Sequence, residues 1–136
     1  MASRVKRFGV SLEDDLLDKL DNLVKEKKFP NRSQAIRYLI ARNLVEEKWK
    51  GDEMVAGAIV LVYDHHKREL QNKATNLQHH YHDLILSVQH VHLDHDNCLE
   101  TIAVKGRASQ LVDFSEKHIA LKGIRHGKLV MSVHNL

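Results

Sequence analysis

The order of apolar and polar positions divides the chain into two patterns. At residues 7–12, Phe8, Val10 and Leu12 fall on one side and Arg7, Gly9 and Ser11 on the other. That period of two predicts a short half-buried strand. The period then becomes helical. Ser11 reads as an N-cap, Glu13, Asp14 and Asp15 sit at the positive end of a helix dipole, and Leu16, Leu17, Leu20, Leu23 and Val24 mark one face as far as about Lys27. Phe29-Pro30-Asn31 breaks this helix. Asn31 or Ser33 then caps a second one, with Ile36, Leu39, Ile40 and Leu44 on its inner face.

Residues 49–53 read as a linker. Beyond it the pattern predicts a strand over 54–63, a helix over 67–79 and a strand over 84–93. A turn at 94–97 joins that strand to another over 99–105, a hairpin. A helix over 108–121 and a last strand over 124–133 follow, with Gly127 as a candidate bulge. The order βαββαβ is the split-βαβ, ferredoxin-like pattern. The fold class is therefore α+β, with an N-terminal domain at 1–50 and a ferredoxin-like, ACT-like domain at 51–136.

The N-terminal unit is too small to bury a core alone, and its single strand has no partner within it. An intertwined dimer answers both problems, because two copies of the strand pair antiparallel and present Arg7, Gly9 and Ser11 outward. Such a ribbon fits the DNA major groove. Charge agrees: residues 1–50 carry 12 Lys+Arg against 8 Asp+Glu, whereas residues 51–136 carry 9 against 10. A basic half suits an anionic partner. Arg7-Phe8-Gly9-Val10-Ser11-Leu12 followed by Asn31-Arg32-Ser33-Gln34-Ala35-Ile36-Arg37 resembles the ribbon-helix-helix family of DNA-binding proteins. The resemblance implies that Arg7, Gly9 and Ser11 face bases. It also implies that the amides near Arg32 and Ser33 clamp a phosphate, as helix N-termini can. Gly9 departs from the family, which usually has a polar side chain there.

All eleven histidines lie beyond residue 64. Three share a stretch with the single cysteine: His90-Val91-His92-Leu93-Asp94-His95-Asp96-Asn97-Cys98. His-x-His on a strand puts two imidazoles on one face, and Cys98 returns across the turn. Imidazole with thiolate suits Zn, Cu, Ni or Fe rather than Mg or Ca. By spacing, the fourth ligand is His95 or a histidine of the cluster His79-His80-Tyr81-His82, from the same subunit or a neighbour. One cysteine excludes an internal disulfide framework, and no apolar run is long enough to span a bilayer. These features favour the cytoplasm.

With the ribbon-helix-helix start, the segments Gln78-His79-His80 and His90 to Glu100 closely resemble the nickel-responsive regulator family. Tyr63 to Arg68 and Gly123 to Gly127 carry the same likeness. The resemblance implies a planar Ni(II) site of three imidazoles and one thiolate: His90, His92 and Cys98 from one subunit, His79 from the opposing one. Glu100 falls where the family has a supporting acidic residue. Lys67 and Arg68 would touch phosphates once their segment is ordered. The expected protein is a homotetramer, a dimer of dimers, that binds a double-stranded DNA operator of palindromic half-sites and represses nickel-uptake genes. Gln34 and Tyr38 stand where the family often has acidic residues for a second cation. Three rivals remain: a metal storage or delivery protein, a small metalloenzyme, and a regulator sensing an organic effector. No nucleophile–base pair or phosphate-binding glycine loop supports the enzyme.

Overall fold

A computed structural model describes residues 2–136; Met1, where the expected N-terminal domain begins, lies outside them. The chain divides into two compact units, residues 1–41 and 42–136, with the boundary inside the second helix.

In the first unit, residues 2–13 form no regular element, so the expected strand at 7–12 is absent as such. A strand needs a hydrogen-bonding neighbour, and the unit supplies none. Helix α1 spans Asp14–Glu26 and its N-cap is Glu13, two residues later than the expected Ser11. Asp14 and Asp15 do fill its first turn. The C-terminus closes as a Schellman motif: Phe29 N–H donates to Val24 O (2.9 Å) and Lys28 N–H to Lys25 O (3.2 Å). Lys28 occupies the left-handed position at φ 58° that glycine normally takes. Helix α2 spans Arg32–Lys50. Asn31 caps it, its Oδ1 accepting from Gln34 N–H at 3.0 Å. Several apolar side chains of this unit stay open: Phe8 is 74% and Ile40 55% exposed, and they line a 560 Å³ groove with Val10, Leu12, Leu16 and Leu39.

The second unit begins with the end of α2. Trp49, expected in the linker, is instead buried, and its indole N–H donates to Ser132 O at 2.8 Å. The turn is confined to Gly51-Asp52-Glu53, with Asp52 at φ 53°. Asp52 Oδ1 accepts from Ser109 N–H (2.8 Å) at the start of the helix that begins at Ala108, which has no side-chain cap of its own. The elements are β1 (Met54–Asp64), α3 (Arg68–His80), a 3₁₀ turn (His82–Leu84), β2 (Ile85–His92), β3 (Asn97–Arg107), α4 (Ala108–Ile119) and β4 (Ile124–Ser132). The sheet order is β2-β3-β1-β4, every pair antiparallel. This is the split-βαβ topology, with β3 inserted between β1 and β2. β1 and β3 alternate in burial, and their inward residues Ile59, Leu61, Ile102 and Val104 meet Leu111 and Phe114 of α4 and Leu70 of α3. The irregularity in the β1–β4 ladder falls at Arg125, two residues before Gly127. Gly127 has a different duty: a Cβ there would stand 2.6 Å from Ile119 Cγ1, so its bareness lets α4 sit close to β4.

Candidate metal centre and nucleic-acid interface

Strand register assembles the metal candidates. On the β2–β3 pair His92 lies opposite Cys98 and His90 opposite Glu100. Directly opposed residues share a face, so four candidates project from one side of two neighbouring strands. On the other flank, Tyr63 of β1 lies opposite Cys98. His90 and His92 are exposed on the outer strand, with ring centroids 5.7 Å apart, while Cys98 and Glu100 are buried one strand further in. Cys98 is a free thiol that donates to Tyr63 O at 3.4 Å. Burial pushes this thiol up, and the nearby Glu100 and Asp64 carboxylates add to the shift; the hydrogen bond to Tyr63 opposes them. A cation beside the sulfur would act against this shift and favour the thiolate. Two imidazoles in the same register supply borderline nitrogen donors, so the donor set fits nickel, copper or zinc.

His79 stands apart. It lies in the last turn of α3, exposed, with its ring stacked on His82 at 6.0 Å. Among the described residues, the groups whose donor atoms fall within 4.8 Å of one another contain none of His79, His90, His92 and Cys98. One chain thus supplies an aligned but open donor set.

Behind it runs a buried polar chain that spans both helices. Glu100 accepts from the Tyr63 hydroxyl and, at 2.7 Å, from Gln78 Nε2. Gln78 Nε2 also lies 3.0 Å from His118 Nε2, which acts as acceptor. Burial pushes the Tyr63 hydroxyl up, with Glu100 adding to the shift, so it remains a donor. Burial pushes His118 down towards the neutral form. Gln78 immediately precedes His79, so this chain fixes the end of the helix that carries the outlying candidate. His118 was legible in part: it follows Leu111 and Phe114 at helical spacing on the inner face of α4. Gln78 and Tyr63 had no signal of that kind beyond their place in the family-like motifs.

The polynucleotide-facing candidates lie in both units. Arg7, Gly9 and Ser11 are exposed, and Gly9 has no heavy atom within 4 Å of where a Cβ would stand. Arg32 forms a two-pronged bond to Asp21 of α1, Nε to Oδ1 at 2.8 Å and Nη2 to Oδ2 at 2.9 Å. The guanidinium of Arg32 is thereby engaged within the unit. The same contact holds the Asp21 carboxyl below its ordinary range. Tyr38, at a departure from the family pattern, packs on Phe29 with ring centroids 5.3 Å apart. Lys67 precedes α3 as its N-cap and Arg68 begins it, both exposed.

An N-terminal helix pair with an unpaired exposed segment before it, joined to a split-βαβ domain with an aligned His/Cys set, defines a class: ribbon-helix-helix DNA-binding regulators with a metal-binding C-terminal domain. Comparison with known proteins agrees. The profile of the ribbon-helix-helix protein, copG family, matches residues 6–47, and that of the NikR C-terminal nickel-binding domain matches residues 56–132. The chain belongs to the nickel-responsive regulator family. A relative in Syntrophus aciditrophicus is 50% identical over 96% of this chain and 95% of its own. Others are 50% identical in Desulfotalea psychrophila (94% of each chain) and 51% identical in Desulfovibrio desulfuricans (89% and 88%). All three are named "Putative nickel-responsive regulator". An uncharacterized protein from Thermotoga maritima shares the fold, with TM-score 0.53 at 16% identity over 58% of this chain and 98% of its own. The family consists of transcription regulators, not enzymes, which removes the metalloenzyme rival. No helix among the described residues is long and apolar enough to cross a membrane.

Proposed function

We propose that this chain is a Ni(II)-dependent repressor of nickel-uptake genes, acting in the cytoplasm as a dimer of dimers on an operator of palindromic half-sites. The observation that carries the reading is the register of β2 on β3, which sets His92 against Cys98 and His90 against Glu100. His90, His92 and Cys98 would hold the metal from one subunit, and His79 of a neighbouring subunit would supply the fourth ligand. Glu100 anchors the surroundings through Tyr63 and Gln78. Nickel, when bound, would supply a positive charge that favours Cys98 as thiolate.

Residues 1–50 serve as the DNA-binding domain and residues 51–136 as the metal-binding and tetramerisation domain. The open apolar groove of the first unit is the surface on which the second copy intertwines. Arg7 and Ser11 contact base edges from the ribbon, Gly9 allows close backbone approach, and the amides near Arg32 and Ser33 hold a phosphate. A ligand shared between subunits couples the two ends: tying His79 across the interface restrains the end of α3 and the 65–82 segment. Lys67 and Arg68 at its start then reach phosphates, and the ribbon pairs settle at the spacing of successive half-sites.

The test is operator binding of reduced full-length protein with and without Ni(II), alongside His79→Ala. Tight binding only with nickel, lost in the variant, is expected. Nickel-dependent binding that survives His79→Ala contradicts the cross-subunit coupling.

A further inference from the structure

Helix α4 grips the end of α3 through residues on both sides of His79 in the chain. On the buried side, Gln78 Nε2 donates to Glu100 Oε1 at 2.7 Å and lies 3.0 Å from His118 Nε2. An ionised carboxylate only accepts, so the amide nitrogen must face Glu100 and its second hydrogen is directed at His118. On the solvent side, Tyr81 is the C-cap of α3. Its ring stacks on Phe114 with centroids 5.0 Å apart. Its hydroxyl donates to Asp113 Oδ2 at 2.7 Å and accepts from Lys117 Nζ at 2.8 Å. Lys117 closes the set with an ion pair to Asp113 at 3.0 Å. The Tyr81 hydroxyl, and beside it Lys117, hold the Asp113 carboxyl below its ordinary range. Asp113 and Lys117 are four residues apart on α4, as are Phe114 and His118, so neighbouring rows of one helix supply both grips.

His118 is the less expected half of this arrangement. It is fully buried, and its Nδ1 has no hydrogen-bond partner among the described residues. An unpaired buried polar atom weakens a fold. A leucine at this position on the inner face of α4 would cover the same core without that loss. What the imidazole adds is therefore Nε2, the acceptor for Gln78. Burial favours the neutral ring, which keeps Nε2 free to accept. We propose that His118 and Tyr81 are positioning residues that clamp the end of α3 to α4, the first through Gln78 and the second through Asp113 and Lys117, and so present His79 before any metal arrives. The presentation rests on the reading of His79 as the fourth ligand.

The side chain of His79 takes no part in the clamp. The residue is exposed, and its backbone carbonyl accepts from His82 Nδ1 at 3.0 Å. A ligand on a frayed helix end must be ordered as it binds, and its affinity falls with the fraction of time that the end is out of place. A clamped end has met that cost in folding. It also passes the pull of a neighbouring subunit to α4 and the sheet, whereas a loose end would absorb it. The start of α3 has no side-chain cap at Lys67, so restraint by a shared metal falls on a segment already held at its far end.

The test joins two measurements on reduced full-length protein. One is hydrogen exchange of the metal-free form, read by mass spectrometry on peptides covering 75–81. The other is Ni(II) affinity from competition against EGTA. Tyr81→Phe keeps the stack on Phe114 and removes the hydroxyl, and His118→Leu keeps the bulk and removes the acceptor. Each is expected to speed exchange at 75–81 about five-fold, the effect of losing one hydrogen bond of ordinary net strength, with exchange in β3 unchanged. The double variant is expected to bind Ni(II) at least about five-fold more weakly. His79→Ala should weaken Ni(II) binding while exchange at 75–81 stays as in wild type. Wild-type exchange in the double variant refutes the clamp. Wild-type affinity in the double variant, beside a weakened His79→Ala, refutes the presentation of His79. If His79→Ala itself binds Ni(II) like wild type, the ligand assignment fails and the presentation with it, and the exchange result still decides whether the clamp exists.

Discussion

Gln78→Leu tests the buried polar chain most sharply. The substitution keeps the bulk of the side chain and removes one amide that donates in two directions, to Glu100 at 2.7 Å and towards His118 at 3.0 Å. Glu100 is only 4% exposed and among its side-chain contacts has one other donor, Tyr63. Losing a hydrogen bond to a charged acceptor costs about 1.5–3 kcal/mol, and losing one to a neutral acceptor such as His118 about 1 kcal/mol. The sum, roughly 2–4 kcal/mol, is a large share of the 5–15 kcal/mol that typically holds a domain together. Urea unfolding of the apo-protein followed by circular dichroism measures it, as a lower midpoint with the slope unchanged. Glu100→Leu and the double variant complete a cycle, in which the pair should show a coupling of at least about 1 kcal/mol. A Gln78→Leu midpoint that matches wild type, or a cycle with no coupling, refutes the claim that Gln78 stabilises a buried carboxylate.

Three further outcomes are expected. Burial holds His118 below its unfolded value of 6.5, so its neutral form stabilises the fold above that pH and the contribution is lost as pH falls through the folded value. His118→Leu should therefore lose less stability than wild type between pH 7.5 and pH 5, and parallel curves from urea midpoints at each pH would contradict this. Lys28→Gly should raise the melting temperature, because Lys28 holds φ 58° at a gain for glycine of up to about 1 kcal/mol; a fall would show that the left-handed turn is not strained. Arg7→Ala should reduce discrimination between operator and unrelated DNA by about 1–3 kcal/mol, whereas loss of affinity equal on both sequences would move Arg7 from base to phosphate contact.

The C-terminal fold was legible because its elements carry clear periods. The helical spacing of Leu111 and Phe114 marked α4, where both are buried, and the hairpin around 94–97 follows from its turn residues. What escaped was set by tertiary contact. Trp49 reads as linker beside Lys50-Gly51, yet the backbone carbonyl of Ser132, far along the chain, accepts its N–H. The bond of the Arg32 guanidinium to Asp21 of the neighbouring helix had no signal in the pattern. The N-terminal strand was expected to need a partner strand, and in the single chain residues 7–12 take no regular form. In the metal centre, the His-x-His alternation and the hairpin put Cys98 on the strand returning past His90 and His92, and the register sets it opposite His92. No period could foretell that Glu100, Gln78 and His118 join two helices through one buried chain.

The central claim is that Cys98, opposite His92, binds Ni(II) as thiolate in a planar set with His90 and His79. The most direct measurement is an absorption titration of reduced full-length protein with Ni(II), paired with Cys98→Ala. The account predicts a thiolate-to-metal charge-transfer band with weak planar-type d–d absorption, saturating at one Ni(II) per chain and absent from the variant. Nickel binding that shows no such band, or an identical spectrum in Cys98→Ala, would contradict it.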